Sequence, residues 1–190
     1  MLRSILLASS LIAAPIAATA GPWTLDKSHA HVTFSVDHLG FSTTQGAFRS
    51  FDMEIDFDPE NIGATSVSAT IDASSVDTFF AKRDDHIKSA DFLDVGTHPT
   101  ITFATTAVAQ TGDNTADVTG DLTILGTTQA VTFQAELVKL GPSPFNPDLT
   151  VAGMRVTGEI DRAAFGVNYG VPAIGQVIPV EINFEMSPAQ

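Results

Sequence analysis

The sequence has no cysteine and few basic residues. Its 190 residues contain nine Lys or Arg against 22 Asp or Glu, which gives a formal net charge of −13. The absence of Cys excludes disulfides, thiolate catalysis, Cys-ligated zinc and lipid attachment at Cys. The shortage of cations argues against a nucleic-acid partner, because phosphate binding needs clustered Lys and Arg. It argues equally against electrostatic docking on anionic lipid.

Long hydrophobic runs are also missing. The apolar stretch at residues 5–14 is shorter than the roughly 20 residues that span a bilayer. It follows Arg3 and precedes Ala18-Thr19-Ala20, so the segment has the three parts of a secretory signal. We predict a cleaved signal peptide over residues 1–20 and a mature domain over residues 21–190, exported to the periplasm without a stable membrane anchor. A buried N-terminal helix or an uncleaved anchor is the alternative.

Alternation of apolar and polar residues is what the sequence has in abundance. It recurs at residues 31–38, 51–58, 67–72, 117–124, 131–137 and 178–185. Such alternation is typical of strands with one dry and one wet face, and turn-forming residues at 58–61, 112–114, 125–126 and 146–148 separate the runs. We therefore predict one antiparallel domain of about eight or nine strands.

One segment, residues 77–88, lacks this alternation. Phe80, Asp84 and Ile87 would share one helical face there, which predicts a helix of about three turns capped by Asp77 or Thr78. Eight strands with a single helix favour a closed barrel, whose interior at that size can hold one small ligand. A two-sheet sandwich would give the same periodicity.

Candidate chemistry is sparse. His29 and His31 form an H-x-H pair that could be half of a metal site, with His38, His86 or His98 as a third ligand, but we predict no metal. Residues 83–86 could orient a polar head group or form a structural hydrogen-bond network. No nucleophile, phosphate-loop or dinucleotide motif is present, so an enzyme is not expected.

Phenylalanine dominates the aromatic residues. The chain has 13 Phe but one Trp and one Tyr. Because Phe carries no polar group, these side chains supply apolar volume, either in an ordinary core or around a dry cavity for a lipid-like ligand.

Several blocks in order resemble the YceI family of secreted lipid-binding proteins. They lie at residues 23–29, 36–40, 46–48, 83–95, 98–103, 120–128 and 161–167. The resemblance implies an all-β fold, an extended eight-stranded antiparallel barrel similar to the lipocalins, with one short α-helix and an internal apolar tunnel. It also implies a carrier that binds a polyisoprenoid, an isoprenoid quinone or a fatty-acid-like chain for transport, storage or sensing, with no other cofactor.

On this basis two groups of residues are candidates for ligand binding. The predicted tunnel lining consists of Phe34, Val36, Phe51, Met53, Ile55, Val67, Ile71, Ile101, Phe103, Leu122, Ile124, Phe133 and Phe165. The predicted polar mouth consists of Asp26, His29, Arg83, Asp84 and His86. Two other classes stay open: a cavity-free stress or interaction protein, and a hydrolase or isomerase of a lipid-like substrate with His29 or His86 as base. A transient membrane contact and a homodimer also stay open.

Overall fold

The computed structural model describes residues 21–189, so the predicted signal peptide lies outside the described residues. Ten strands are found there: β1 (Gly21–His38), β2 (Ser42–Phe48), β3 (Phe51–Phe57), β4 (Ser66–Asp72), β5 (Val76–Asp77), β6 (Thr100–Gln110), β7 (Thr115–Ile124), β8 (Thr127–Pro142), β9 (Thr150–Asp161) and β10 (Val177–Pro188). One α-helix, α1 (Ala81–Lys88), lies between β5 and β6, and short 3-10 turns occupy Ile62–Ala64, Ala73–Ser75 and Arg162–Phe165.

Eight of these strands close into an antiparallel barrel in the order β1-β3-β4-β6-β7-β8-β9-β10, with β10 pairing back onto β1. The closure confirms the predicted barrel and excludes the sandwich. The 18-residue strand β1 allows this closure because one of its edges pairs with two different strands. Its start pairs with β3 and its second half with β2, while β10 follows the opposite edge.

The two ends of the barrel differ. We call one the helix end, formed by α1, the β1–β2 turn and the loop of residues 166–176 between β9 and β10. We call the other the far end, formed by the start of β1 and the loops at 58–65 and 111–114. Each end has its own apolar cluster, centred on Leu25, Phe57 and Met186 at the far end and on Ile124 and Phe165 at the helix end.

The helix is shorter than predicted. Asp77 belongs to β5, and Phe79 takes a left-handed conformation (φ 66°), so helical geometry begins only at Ala81. The predicted cap by Asp77 or Thr78 is therefore wrong. Instead Asp84, inside the helix, accepts a hydrogen bond from the Thr78 backbone N–H at 2.8 Å. Within residues 21–189, no helix has the length and apolar character needed to cross a membrane.

The turn predicted at 125–126 is confirmed and joins β7 to β8 as a tight hairpin, in which Ile124 pairs with Thr127. Leu125 and Gly126 both have positive φ (51° and 70°), the geometry that matches the right-handed twist of two strands joined by a two-residue turn. The turn fixes the register of β7 against β8, and with it which side chains of the two strands point inward.

Three inward-facing glycines each lie beneath a phenylalanine ring. A Cβ at Gly158 would overlap the ring of Phe133, and the same holds for Gly46 beneath Phe34 and Gly120 beneath Phe103. The rings lie along the wall because the facing strand has no side chain at that point. The glycines therefore keep the interior open where bulky Phe side chains line it.

We expect Gly158→Ala to lower the free energy of unfolding by about 1–3 kcal/mol, because the new methyl group must push Phe133 off its position. The matched control is Gly153→Ala on the same strand, where nothing lies within 4 Å of the added Cβ. Relief of glycine's entropic cost should leave that variant unchanged or more stable by about 0.5–1 kcal/mol. Urea unfolding followed by circular dichroism measures both, and equal stabilities would contradict the wall-packing account.

Candidate ligand-binding site

An apolar cavity of about 460 Å³ runs through the barrel. Its lining extends from Ile62 and Asn114 at the far end to His86 and Tyr169 at the helix end. The volume lies within the range of roughly 300–1,000 Å³ typical of small-molecule sites. Eight of the 13 Phe side chains contribute to the wall, so much of the phenylalanine content serves the cavity rather than a solid core.

Twelve of the thirteen predicted lining residues face this cavity. They are Phe34, Val36, Phe51, Met53, Ile55, Val67, Ile71, Ile101, Phe103, Leu122, Ile124 and Phe133. The exception is Phe165, which is only 2% exposed and packs within the helix-end cluster as part of the 3-10 turn after β9. That turn removes it from the alternation of the strand. A role of the twelve in binding stays a prediction.

One side of the cavity was not predicted from the sequence. Much of the unpredicted lining comes from β9 and β10: Met154, Val156, Ile160, Ile178, Val180, Ile182, Phe184 and Met186. The alternation of β10 was visible in the sequence and could have placed its residues. In β9 the glycines at 153 and 158 weaken the alternation, because a residue without a side chain indicates neither the apolar nor the polar face.

The predicted polar mouth does not form as one group. Asp26 pairs with Glu185 in the half of β1 towards the far end, and His29 lies in a bulge between Asp26 and His31. Residues 27–30 have no partner on β10, so the chain bows outward and carries His29 away from the interior. Neither Asp26 nor His29 lines the cavity.

Asp26 and His29 instead form an exposed pair of their own. His29 Nδ1 lies 2.8 Å from the Asp26 carboxylate, and the two side chains are 63% and 45% exposed. Hydrogen bonds from Ser28 and His29 lower the pKa of Asp26 to about 2, and the bond to Asp26 raises the pKa of His29. A carboxylate oxygen of Glu185 lies within 4.8 Å of the polar side-chain atoms of Asp26 and His29, whereas His31 is not part of this group. Among the described residues, His29 therefore has Asp26 and Glu185 beside it rather than the His31 of the possible H-x-H pair.

The other three predicted mouth residues all lie on α1, at the helix end. Arg83 donates from Nε to Thr78 Oγ1 at 2.7 Å and from Nη2 to the Thr78 carbonyl, while its guanidinium lies 5.8 Å from the centre of the Phe80 ring. Arg83 and His86 line the cavity, whereas the Asp84 carboxylate is engaged with Thr78 and does not. The network thus ties α1 to the strand that precedes it.

His86 sits in a small aromatic cluster beside the cavity. Its Nε2 lies 2.8 Å from the Asp91 carboxylate, and its ring packs edge-on against both Phe92 and Tyr169 at about 5 Å. Tyr169 belongs to the loop at 166–176, so the cluster joins that loop to α1. We call Arg83, His86 and Tyr169 the mouth, since all three line the cavity and Arg83 and Tyr169 are exposed to solvent.

Arg162 is a buried charged residue that holds the loop of residues 166–176, which we call the mouth loop. The residue is 7% exposed, and its guanidinium donates to four backbone carbonyls at 2.7–3.0 Å, those of Val167, Tyr169, Ile174 and Gly175. Burial lowers its pKa, and nearby Asp161 opposes that shift. The sequence analysis missed this role, because the four acceptors are backbone atoms and leave no mark in the residue pattern.

Comparison with known proteins places the chain in a well-populated group. A family model described as a YceI-like domain matches residues 23–186. A UPF0312 protein of Ectopseudomonas mendocina (strain ymp) is 44% identical over 146 residues, which cover 76% of this chain and 75% of that protein. Protein YceI of Escherichia coli O17:K52:H18 is 37% identical over 179 residues, covering 93% and 92%.

Solved structures agree on the fold. The crystal structure of Burkholderia cenocepacia BcnA matches with a TM-score of 0.76 at 26% identity, covering 85% of this chain and 98% of that one. A polyisoprenoid binding domain from Saccharophagus degradans matches with a TM-score of 0.64, covering 88% and 98%. Its 14% identity shows the fold alone.

We expect Arg162→Met to destabilise the protein by several kcal/mol, about 3–5, because it leaves four partly buried carbonyls without donors. Arg155→Met on β9 is the matched control. Arg155 makes only an exposed ion pair with Glu181 at 3.2 Å, so its loss should cost less than about 1 kcal/mol. Chemical denaturation measures both free energies. Similar small losses in the two variants would show that the mouth loop does not depend on Arg162.

Proposed function

The chain belongs to the YceI family, and from that membership and its cavity we propose that it is a carrier of a long-chain, lipid-like molecule. The observation that carries the proposal is the continuous apolar cavity along the barrel axis. An isoprenoid or acyl chain offers only apolar surface, worth roughly 25 cal/mol for each Å² buried. Because the wall is already formed, little free energy is spent on arranging it around the ligand.

The proposed ligand is a polyisoprenoid, an isoprenoid quinone or a fatty-acid-like chain. Each is long, flexible and apolar over most of its length, which fits a cavity that extends from one end of the barrel to the other. The domain from Saccharophagus degradans is described as polyisoprenoid-binding, so the same fold is associated with such a chain in another protein. Transport, storage and sensing would all use the same site.

The two competing functions have less support from the geometry. A cavity-free interaction protein would need a packed interior, whereas this barrel holds about 460 Å³ of open volume. An enzyme with His29 as its base would need that residue at the ligand, but His29 lies in the outward bulge of β1. His86 does line the cavity, with Nε2 beside Asp91 rather than beside a nucleophile.

Native mass spectrometry of the protein purified from its own host should detect a hydrophobic molecule that organic extraction removes. Rebinding of the ligand to the stripped protein should be lost in Ala69→Trp. Ala69 lines the cavity between its paired neighbours Met53 on β3 and Phe103 on β6, so a Trp side chain there fills the lumen. Thr70→Trp, one residue along on the outer face, is the control and should rebind normally. Equal binding by both variants, or no ligand in any preparation, would contradict a carrier function.

We also propose that the protein works in the periplasm, on the strength of the signal sequence at residues 1–20. Protein recovered by osmotic shock of its host should begin at Gly21 when its N-terminus is sequenced. Recovery with residues 1–20 intact in the cytosolic fraction would contradict both the cleavage and the location.

A further inference from the structure

The charges around the cavity are of one sign. The protein has 22 acidic residues, yet none of the aspartates and glutamates in residues 21–189 lines the cavity. Four basic side chains do: His38, Arg83, His86 and Arg162. In a chain with 22 acidic residues against nine Lys or Arg and five His, this is the opposite of what the overall composition would predict.

All four lie at the helix end. Arg83 and His86 are on α1, Arg162 follows β9, and His38 ends β1 and bridges to Ile174 in the mouth loop. The remaining wall towards the far end is apolar apart from Thr side chains and Asn114. A long-chain ligand therefore meets its charged surroundings at one end only, where its head group would sit.

Hydrogen bonds distinguish Arg83 from Arg162 and His86, whereas the His38 side chain makes none within residues 21–189. The Arg162 guanidinium donates hydrogen bonds to four backbone carbonyls, and His86 Nε2 lies within hydrogen-bond distance of Asp91. Arg83 uses Nε and one Nη2 hydrogen on Thr78, and within residues 21–189 its Nη1 makes no hydrogen bond. Arg83 is thus the cation with donors to spare at the mouth.

Three acidic side chains at the helix end are already bound to other groups, and a fourth, Asp85 on α1, is exposed and outside the cavity lining. Asp84 accepts from the Thr78 backbone, Asp91 lies against His86, and Asp37 accepts from the Gly40 backbone at 2.9 Å. None of them lines the cavity, so a cationic head group would find no carboxylate there. It would instead meet the guanidinium of Arg83.

We propose that the head group of the ligand is an oxygen acceptor, bound best when it is anionic as a carboxylate or phosphate, and that Arg83 is its anchor. The inference rests on the proposed carrier function and adds the chemical class of the ligand's polar end. A charge-assisted hydrogen bond from a guanidinium to an anionic oxygen is short and about twice as strong as a neutral one. The same guanidinium repels an ammonium group.

The test compares three ligands with one chain: oleate, oleyl alcohol and oleylamine, each competing with a fluorescent long-chain probe for the stripped protein. Oleate should bind at least about tenfold more tightly than oleylamine, with the alcohol between them. In Arg83→Met the three affinities should converge while probe binding persists. Lys82→Met, which removes the neighbouring cation outside the cavity lining, should keep the full preference.

Two results would overturn the head-group inference and leave the carrier function standing: equal affinity for the three ligands in the natural protein, or an unchanged preference in Arg83→Met. Arg83→Lys guards against a purely structural effect, since it keeps the charge and should retain part of the preference for oleate. If neither the probe nor any of the three ligands binds, the carrier function itself fails, and the head-group inference fails with it.

Discussion

Closure of the sheet by the pairing of β10 with β1 is the constraint on which the rest of the molecule depends. It gives every strand of the barrel one inner face, and so converts eight alternating sequences into one continuous apolar wall. It is also the pairing that must absorb the irregularity of β1, whose residues 27–30 have no partner. The register shifts across the bulge, but pairing is regular on both sides of it, and Val32, Phe34 and Val36 beyond it face the cavity.

Large side chains that line a barrel would occupy its interior unless they were held against the wall. Three glycines, one beneath each ring of Phe34, Phe103 and Phe133, leave space on the neighbouring strand, so that each bulky ring can extend over that strand. The barrel thus combines many phenylalanines with an open lumen. A core of the same composition without those glycines would place the rings across the axis, because each ring would meet a Cβ where it now meets backbone.

The sequence alone could predict the parts of this molecule that follow from local periodicity. Alternation identified β3, β4 and β7, and twelve of thirteen lining residues were found because inward positions repeat every second residue. The mouth was predicted less well. Asp26 faces outward by ordinary alternation beside buried Leu25, whereas His29 is turned outward by the bulge, which no periodicity reveals. The role of Arg162 depends on backbone carbonyls up to 13 residues away, which only the folded chain brings together.

The two arginines of the helix end show how one residue type can serve two purposes in one cavity. Arg162 is buried and surrounded by carbonyl oxygens, so backbone dipoles solvate its charge and little of it is available to a ligand. Arg83 is exposed and bound to Thr78 through part of its guanidinium, and among the described residues its Nη1 has no hydrogen-bond partner. The first holds the loop that carries Tyr169, and the second faces the space which that loop borders. The head-group selection that we propose for Arg83 therefore depends on Arg162 as well, because the loop beside the guanidinium must stay in place.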